Sequence, residues 1–221
     1  MKVVKGNKIE EFTVEQSLTY IEGFSRVHLD IGAGDGRYVY KEAMLSVAEE
    51  KKSNTLFIAL EPVSKQLEEY SKKSKKAKLS NCLFVVGSLD NIPVELEHRI
   101  NSISILFPWG SLLQNVVFPE ELLIPVISNV ARNGRLFLTI VFGYAPEAEP
   151  SEMRRLGLED ISLNSLYEKI IPRYIKNGFK VECVRQNSRE DLKKYESTWS
   201  KRLAFGQSRP VFTLDLLLQL P

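Results

Sequence analysis

The segment from Arg26 to Tyr40 constrains the fold of this chain more than any other stretch. Apolar residues alternate from Val27 to Ile31, and three glycines follow at every second position, Gly32, Gly34 and Gly36. Beyond them, apolar residues recur at helical spacing. The pattern predicts a buried strand that runs through a glycine turn into a helix, which is the first unit of an α/β fold. Small residues in such a turn let a ligand approach the backbone closely.

Acidic residues flank the glycines. Asp30 precedes Gly32, and Asp35 lies between the second and third glycines. The spacing G-x-G-x-G differs from the G-x-G-x-x-G turn that receives a pyrophosphate at a helix N-terminus. Carboxylates repel phosphate and suit a cation. The ligand that fits is S-adenosylmethionine, which has no phosphate and carries an ammonium and a sulfonium. A tight strand-to-helix turn without a ligand is the alternative.

The next two strands also end at acidic residues. The strand from Thr55 to Leu60 runs into Glu61, and the strand from Leu83 to Val86 leads to Asp90. An open parallel sheet binds its ligand at the carboxyl ends of its strands. We therefore expect Glu61 to hold ribose hydroxyls and Asp90 to accept a hydrogen bond from the adenine amino group. The full set of expected cofactor contacts is Asp30, Gly32, Gly34, Asp35, Arg37, Glu61, Pro62, Leu89, Asp90, Leu106 and Pro108.

These acids favour an S-adenosylmethionine-dependent methyltransferase of the Rossmann-like class I α/β fold, with a seven-stranded sheet and an N-terminal β-hairpin. At 221 residues and 43% hydrophobic content, one domain over residues 1–221 suffices. We expect a hairpin and helix over 1–24, in which the helix opens at Thr13 with Gln16 in the capping-box position, and a lid or linker over 143–160. The patterns also predict a strand over 26–31 and helices over 37–50, 119–131 and 163–177. At the end of the chain we expect an antiparallel strand pair interrupted by a basic helix over 189–204. The sequence shows no export signal and no apolar run long enough to span a membrane, which predicts a cytoplasmic protein. We also expect it to be a monomer. Two cysteines without ligand spacing predict no metal.

The strand from Ile100 to Phe107 delivers Pro108-Trp109-Gly110 to the same edge of the sheet. Because Pro108 and Gly110 place Trp109 in a turn, we interpret it as an exposed stacking platform, with a core tryptophan as the alternative. The turn offers no side-chain acceptor for an exocyclic amino group. A ring nitrogen that already carries a lone pair needs none, so the motif favours an endocyclic nitrogen such as N1 of adenine. Direct in-line methyl transfer without a general base is the expected mechanism.

Net charge is only +2, but lysines concentrate in one helix. Lys72, Lys73, Lys75 and Lys76 lie near its end, where they are candidates for contacts to RNA phosphates. A solvated helix end that complements the helix dipole is the alternative.

Three motifs over nearly the whole chain carry a resemblance to a known family: residues 26–37, 102–110 (SISILFPWG) and 197–206 (STWSKRLAFG). Together they resemble the aminoglycoside-resistance 16S ribosomal RNA adenine-N1 methyltransferases of the Kam family. The resemblance implies that the target is the decoding-site adenosine of helix 44 in the small ribosomal subunit. It also implies that Trp109 and Trp199 sandwich the flipped base, with Ser197 near the site.

The same resemblance places an acidic site residue at Glu149 and basic residues at Arg154 and Arg155. Further RNA contacts are expected at Lys201, Arg202 and Arg209, close to Trp199. Aromatic stacking of an extruded base contributes about 1–3 kcal/mol and offsets part of the cost of extrusion. Three other functions stay open: a methyltransferase of another RNA such as tRNA, a methyltransferase of a small molecule or protein, and a non-catalytic RNA-binding module.

Overall fold

The computed structural model describes residues 1–50, 54–144, 150–159, 161–193, 195 and 210–220, without the side chains of residues 49 and 50. Within it the chain forms two compact units. The first comprises Met1–Ser104 and Val130–Asn133, and the second comprises Ile105–Asn129 and Gly134–Pro221. The single domain expected over residues 1–221 stays a prediction. In the described part of the chain, no helix is long and apolar enough to cross a membrane.

The first unit alternates strands and helices after an N-terminal hairpin. Its elements are β1 (Lys2–Lys5), β2 (Lys8–Glu11), α1 (Val14–Glu22), β3 (Arg26–Ile31), α2 (Arg37–Glu50), β4 (Thr55–Glu61), α3 (Ser64–Lys76), β5 (Cys82–Val86) and the first residues of β6 (Ser102–Leu106). The predicted strand over 26–31 and helix over 37–50 have the predicted bounds. Helix α1 opens with the predicted capping box, in which Thr13 and Gln16 exchange hydrogen bonds of 3.2 and 2.9 Å.

The central strands of this unit are parallel, as predicted. β3 pairs with β4 on one side and with the start of β6 on the other, and β4 pairs with β5. The hairpin extends this sheet because Val3 of β1 pairs with Val85 of β5 in antiparallel orientation. The resulting order is β2-β1-β5-β4-β3-β6. Parallel strands covered by helices are apolar on both faces, and Leu29 and Ile58 are accordingly fully buried.

The second unit is built on antiparallel strands. It contains α4 (Gly110–Val117), α5 (Leu123–Val130, whose last residue clusters with the first unit), β7 (Arg135–Phe142), α6 (Pro150–Leu156), α7 (Leu163–Ser165), α8 (Ile171–Lys176), β8 (Phe179–Gln186), α9 (Arg189–Lys193) and β9 (Phe212–Gln219). β9 pairs with both β7 and β8 in antiparallel orientation. The predicted antiparallel pairing of the last two strands is confirmed.

The region between β6 and β7 differs from the prediction in one missed helix and one shifted helix start. Helix α4 was not predicted, although Leu113, Val116 and Val117 lie on one helical face and are buried. The helix predicted over 119–131 begins only at Leu123, because the residues after Pro119 form a turn closed by the bond from the Ile124 N–H to the Pro119 carbonyl (2.9 Å).

The helix predicted over 163–177 is interrupted. Between α7 and α8 the residues Leu166–Ile170 form a π-helical turn, and Pro172 follows it at the start of α8. Proline has no N–H to donate to the preceding turn, so the regular hydrogen-bond pattern is interrupted there. The basic helix predicted over 189–204 is described only as α9. Of the predicted lid over 143–160, residues 145–149 and 160 lie outside the described residues.

Candidate active site

The glycine turn after β3 is held by backbone hydrogen bonds to β4. The N–H groups of Gly32 and Ala33 both donate to the Leu60 carbonyl, at 2.9 and 3.1 Å. Gly32, Gly34 and Gly36 all have positive φ, at 72°, 57° and 74°. A β-carbon at Gly36 would lie 2.7 Å from the Phe84 ring, whereas one at Gly34 would meet only a side-chain oxygen at 3.9 Å. Gly36 is therefore a packing glycine, and Gly34 leaves the loop open to an approaching ligand.

Glu61, at the end of β4, ties the same turn to the sheet. One of its carboxylate oxygens accepts the Gly34 N–H at 3.1 Å, and the other accepts the Val63 N–H at 3.2 Å. The carboxylate is buried, which raises its pKa, although both backbone donors oppose the shift. Each carboxylate oxygen has lone pairs beyond those used by the backbone, so Glu61 is able to accept further hydrogen bonds from hydroxyl groups.

Asp30 is the most deeply buried acid of the site, and a chain of polar side chains supports it. Its carboxylate accepts a hydrogen bond from the Ser104 hydroxyl at 2.5 Å, and the Ser104 oxygen lies 3.0 Å from Nε2 of His28. The other ring nitrogen, Nδ1, lies 2.8 Å from the Ser102 hydroxyl. Because the Ser104 hydroxyl donates its hydrogen bond to Asp30, the Ser104 oxygen is left to accept a hydrogen bond from Nε2 of His28. This requires the His28 tautomer that carries its proton on Nε2. Ser102 then donates to Nδ1.

The pKa values of these groups match this arrangement. Burial raises the pKa of Asp30 to about 7; the Ser104 hydrogen bond opposes the rise, and the charge of Glu61 adds to it. Burial lowers the pKa of His28 to about 4, which leaves its ring neutral at neutral pH. A carboxyl group that titrates near neutrality is readily converted to its anion by a bound cation.

The other predicted cofactor residues of the first unit differ in their exposure and in their partners. Asp90 is exposed in the turn after β5, and a hydrogen bond from the Ser88 side chain lowers its pKa. The neighbouring Leu89 is buried, whereas Pro62 is exposed. Asp35 forms an ion pair with Arg37 at 3.3 Å. Among the described residues, the buried Nε of Arg37 has no hydrogen-bond acceptor.

In the second unit, the turn after β6 presents the predicted tryptophan. Phe107 adopts a positive φ of 53°, which is strained for a bulky residue, and its N–H donates to the Val141 carbonyl at 2.7 Å. Pro108 is buried, and Leu106 is half-buried. Trp109 precedes the first residue of α4 and is 38% exposed, so it is not a core tryptophan. Strained backbone at such a turn is common at functional sites.

The candidate RNA contacts are exposed where they are described. Lys72 and Lys73 form ion pairs with acids one turn earlier on α3, and Arg155 pairs with Glu152 at 2.7 Å. Arg154 donates to the Pro150 carbonyl at 3.1 Å. The remaining predicted site residues lie outside the described residues: Glu149, Ser197, Trp199, Lys201, Arg202 and Arg209.

The sequence indicated the glycines and the acids but not three further residues, two in the first unit and one in the second. Ser104 and His28 support Asp30, and Phe107 sets the direction of the turn before Trp109. A signal for the serine was present, because Ser102 and Ser104 alternate with isoleucines in an otherwise apolar strand. Across the part of the chain that the structure describes, no group of three or more histidine, cysteine or acidic residues is arranged to hold a metal ion.

The α/β fold with its glycine turn and strand-end acids defines a class I methyltransferase. Solved structures with the same fold bear this out. A 30S ribosomal adenine-1408 methyltransferase from an uncultured bacterium is 37% identical, with 98% of each chain covered and a TM-score of 0.74. The aminoglycoside resistance methyltransferase NpmB1 is 27% identical, with 99% of this chain and 100% of that chain covered and a TM-score of 0.74.

The sequence comparison is more specific. The profile of the NpmA family, 16S rRNA (adenine(1408)-N(1))-methyltransferase, matches residues 2–217. A 16S rRNA (adenine(1408)-N(1))-methyltransferase from Escherichia coli is 35% identical over 220 residues, which cover 97% of both chains. This chain belongs to the 16S rRNA (adenine(1408)-N(1))-methyltransferase family, in agreement with the resemblance seen in its motifs.

Proposed function

We propose that this protein transfers a methyl group from S-adenosylmethionine to N1 of adenine 1408 in the 16S rRNA of the 30S ribosomal subunit. The modification confers aminoglycoside resistance. The enzyme acts as a monomer in the cytoplasm, where the ribosomal subunits are. The observation that carries the chemical part of the proposal is the pair of buried carboxylates, Asp30 and Glu61, beside an open glycine turn. The family match carries the identity of the RNA substrate.

The residues of the first unit fit S-adenosylmethionine. When bound, this cofactor supplies a methyl group on a positively charged sulfur. Asp30 is a buried acid whose ionisation a cationic ligand favours. Glu61 has acceptor capacity for ribose hydroxyls, and the exposed Asp90 is available to accept from an adenine amino group. The unpartnered Nε of Arg37 would be satisfied by the carboxylate of the methionine moiety.

The residues of the protein bind and orient rather than move protons. N1 of adenine carries its own lone pair, so no residue has to remove a proton from it. His28 is not needed as a base: both of its ring nitrogens form hydrogen bonds with serines, and its lowered pKa keeps the ring neutral near pH 7. Catalysis then rests on the correct placement of two reactants and on the exclusion of water.

Trp109 supplies the stacking surface for the extruded base, supported by its exposure at the start of α4. We propose Trp199 as the second ring of the sandwich and Ser197 as a neighbour of the site. The described lysines of α3 and the arginines of α6 contact rRNA phosphates, together with Lys201, Arg202 and Arg209. Such contacts position the enzyme on the subunit, and the flipped base supplies the specificity.

The test is mass mapping of 16S rRNA after incubation of 30S subunits with the protein and S-adenosylmethionine. One added methyl group at N1 of adenine 1408 is the expected result. Parallel reactions with tRNA and with protein-free 16S rRNA measure the substrate preference. Methylation of tRNA but not of 30S subunits would refute the proposal. The Asp30→Asn variant is the control, since it keeps the shape of the side chain and removes its charge.

A further inference from the structure

The N-terminal hairpin is fixed to helix α3 by a buried serine. The Gly6 N–H at the hairpin turn donates to the Ser71 hydroxyl oxygen at 2.8 Å, and the same hydroxyl donates to the Val4 carbonyl at 2.7 Å. Ser71 is buried, and so is Gly6, whose φ is 71°. The turn therefore has a defined position on α3, although the second strand of the hairpin is exposed along its whole length.

A basic groove runs between this turn and the last turns of α3. Its volume is about 490 Å³. It is lined by Lys5, Gly6, Asn7, Lys8, Glu10, Lys72, Lys75 and Lys76. Five of these residues are lysines and one is an acid, so the groove has a strong excess of positive charge.

The lysines of the groove fall into two groups. Lys5 pairs with Glu10 at 2.7 Å, and Lys72 pairs with Glu68 at 3.3 Å. The other three, Lys8, Lys75 and Lys76, are exposed, and among the described residues none has a carboxylate oxygen within 4.0 Å. An ammonium that already has a carboxylate partner gains less from a phosphate than one that has none.

The helix dipole accounts for only part of this charge. Lysines in the last turn of α3 complement the negative end of the helix, which would explain Lys75 and Lys76 without any ligand. It does not explain Lys8, which comes from another element and lines the same groove. Ser71 ties the hairpin to α3, so the three ammonium groups of Lys8, Lys75 and Lys76 lie in one groove at defined positions of the backbone. Their charge suits the phosphates of an RNA backbone.

We propose that Lys8, Lys75 and Lys76 together form a binding site for the 16S rRNA backbone, so that the N-terminal hairpin is part of the surface that grips the 30S subunit. The proposal rests on the proposed function, since it takes rRNA as the substrate. It adds the hairpin to the RNA-binding surface. It also distinguishes the unpaired Lys75 and Lys76 from the paired Lys72, which the sequence had grouped together.

The test is the salt dependence of binding to 30S subunits, measured for Lys8→Gln, Lys75→Gln and Lys76→Gln, singly and combined. Each phosphate contact contributes about 0.7 to 0.9 to the slope of log affinity against log salt. The Lys8→Gln variant should lower the slope by about this amount, and the triple variant by about 2 to 3. Lys5→Gln is the matched control, because it removes the same charge from the same groove at a residue paired with Glu10, and its slope should change less.

Two further measurements make the result decisive. Calorimetry with S-adenosylmethionine and urea unfolding should give close to wild-type values for all five variants, because each of these lysines is exposed and none is among the residues expected to bind the cofactor. An unchanged slope for Lys8→Gln, or an equal change for Lys5→Gln, would overturn the proposal. If the lysine variants lower the salt dependence of binding to 30S subunits as expected but the wild-type protein methylates another base, the proposed function fails while the groove remains an RNA-binding site.

Discussion

Replacing Ser104 by alanine tests whether the direct hydrogen bond from the Ser104 hydroxyl sets the ionisation of Asp30. In the intact protein the pKa of Asp30 is about 7, raised by burial and partly held down by the Ser104 hydroxyl. A hydrogen bond to a charged group contributes roughly 1.5–3 kcal/mol. At 1.36 kcal/mol per pKa unit, its loss raises the pKa of Asp30 by about one to two units.

The direction of the effect on cofactor binding follows from the charge. The anionic form of Asp30 attracts a cation, so affinity for S-adenosylmethionine should fall as the pH drops through about 7 in the wild type. The alanine variant should show the same fall about one to two units higher, which makes it roughly five- to fifty-fold weaker at about pH 7. The difference in affinity between the two proteins should narrow at higher pH.

The stability of the ligand-free protein should depend on pH in the opposite direction. Because the pKa of Asp30 is raised from 3.8, Asp30 lowers the free energy of unfolding progressively as the pH rises from about 4 to about 7.

The assay combines two measurements. Carboxyl carbon chemical shifts of the ligand-free protein give the pKa of Asp30 directly, and calorimetry from about pH 6 to about pH 9 gives the cofactor affinity. Comparison of two variants with the same ligand cancels any titration of the ligand itself. Ser102→Ala is the control, because Ser102 contacts Nδ1 of His28 and has no bond to Asp30. An unmoved midpoint in Ser104→Ala, or an equal shift in the control, would refute the reasoning.

Three further predictions concern the other parts of the site. Trp109→Ala should lower methylation of 30S subunits by roughly five- to one-hundred-fold, since base stacking contributes about 1–3 kcal/mol, and calorimetry should show unchanged cofactor affinity; normal methylation would contradict the stacking role. Gly36→Ala should destabilise the protein by about 1–3 kcal/mol more than Gly34→Ala in urea unfolding, because both residues have positive φ but only the Gly36 β-carbon meets the Phe84 ring, at 2.7 Å. Glu61→Gln should weaken cofactor binding in calorimetry, since it replaces one of two acceptor oxygens by a donor, and equal affinity would exclude Glu61 from the cofactor site.

The parts of the fold that follow from local pattern could be predicted from the sequence. The alternation from Val27 to Ile31 and the glycines after it specify a strand and a turn within a dozen residues, and β3 has the predicted bounds. The capping box of α1 is equally local, since Thr13 and Gln16 are three residues apart. Helix α4 escaped prediction because it spans only Gly110–Val117, and a stretch of that length carries little periodic signal.

The support of Asp30 depends on a pairing that no local pattern contains. Ser104 reaches Asp30, and Ser102 reaches His28, because β6 pairs with β3 in a register that sets Asp30 opposite Ser104 and His28 opposite Ser102. These residues are more than seventy positions apart in the chain. A shift of one residue in that register would turn both serines to the other face of the sheet. The sequence shows that the serines share a face but not which strand they meet.

The burial of two acids beside one turn argues for a cationic ligand on physical grounds. Charges buried without partners destabilise a fold, and the pKa values of Asp30 and Glu61 are both raised. An apolar residue at either position would relieve that cost. The structure instead supplies hydroxyl and backbone donors that limit it: Ser104 donates to Asp30, and the N–H groups of Gly34 and Val63 donate to Glu61. Burial raises the pKa of both carboxyl groups, and a bound cation would favour their ionised forms and balance their charge.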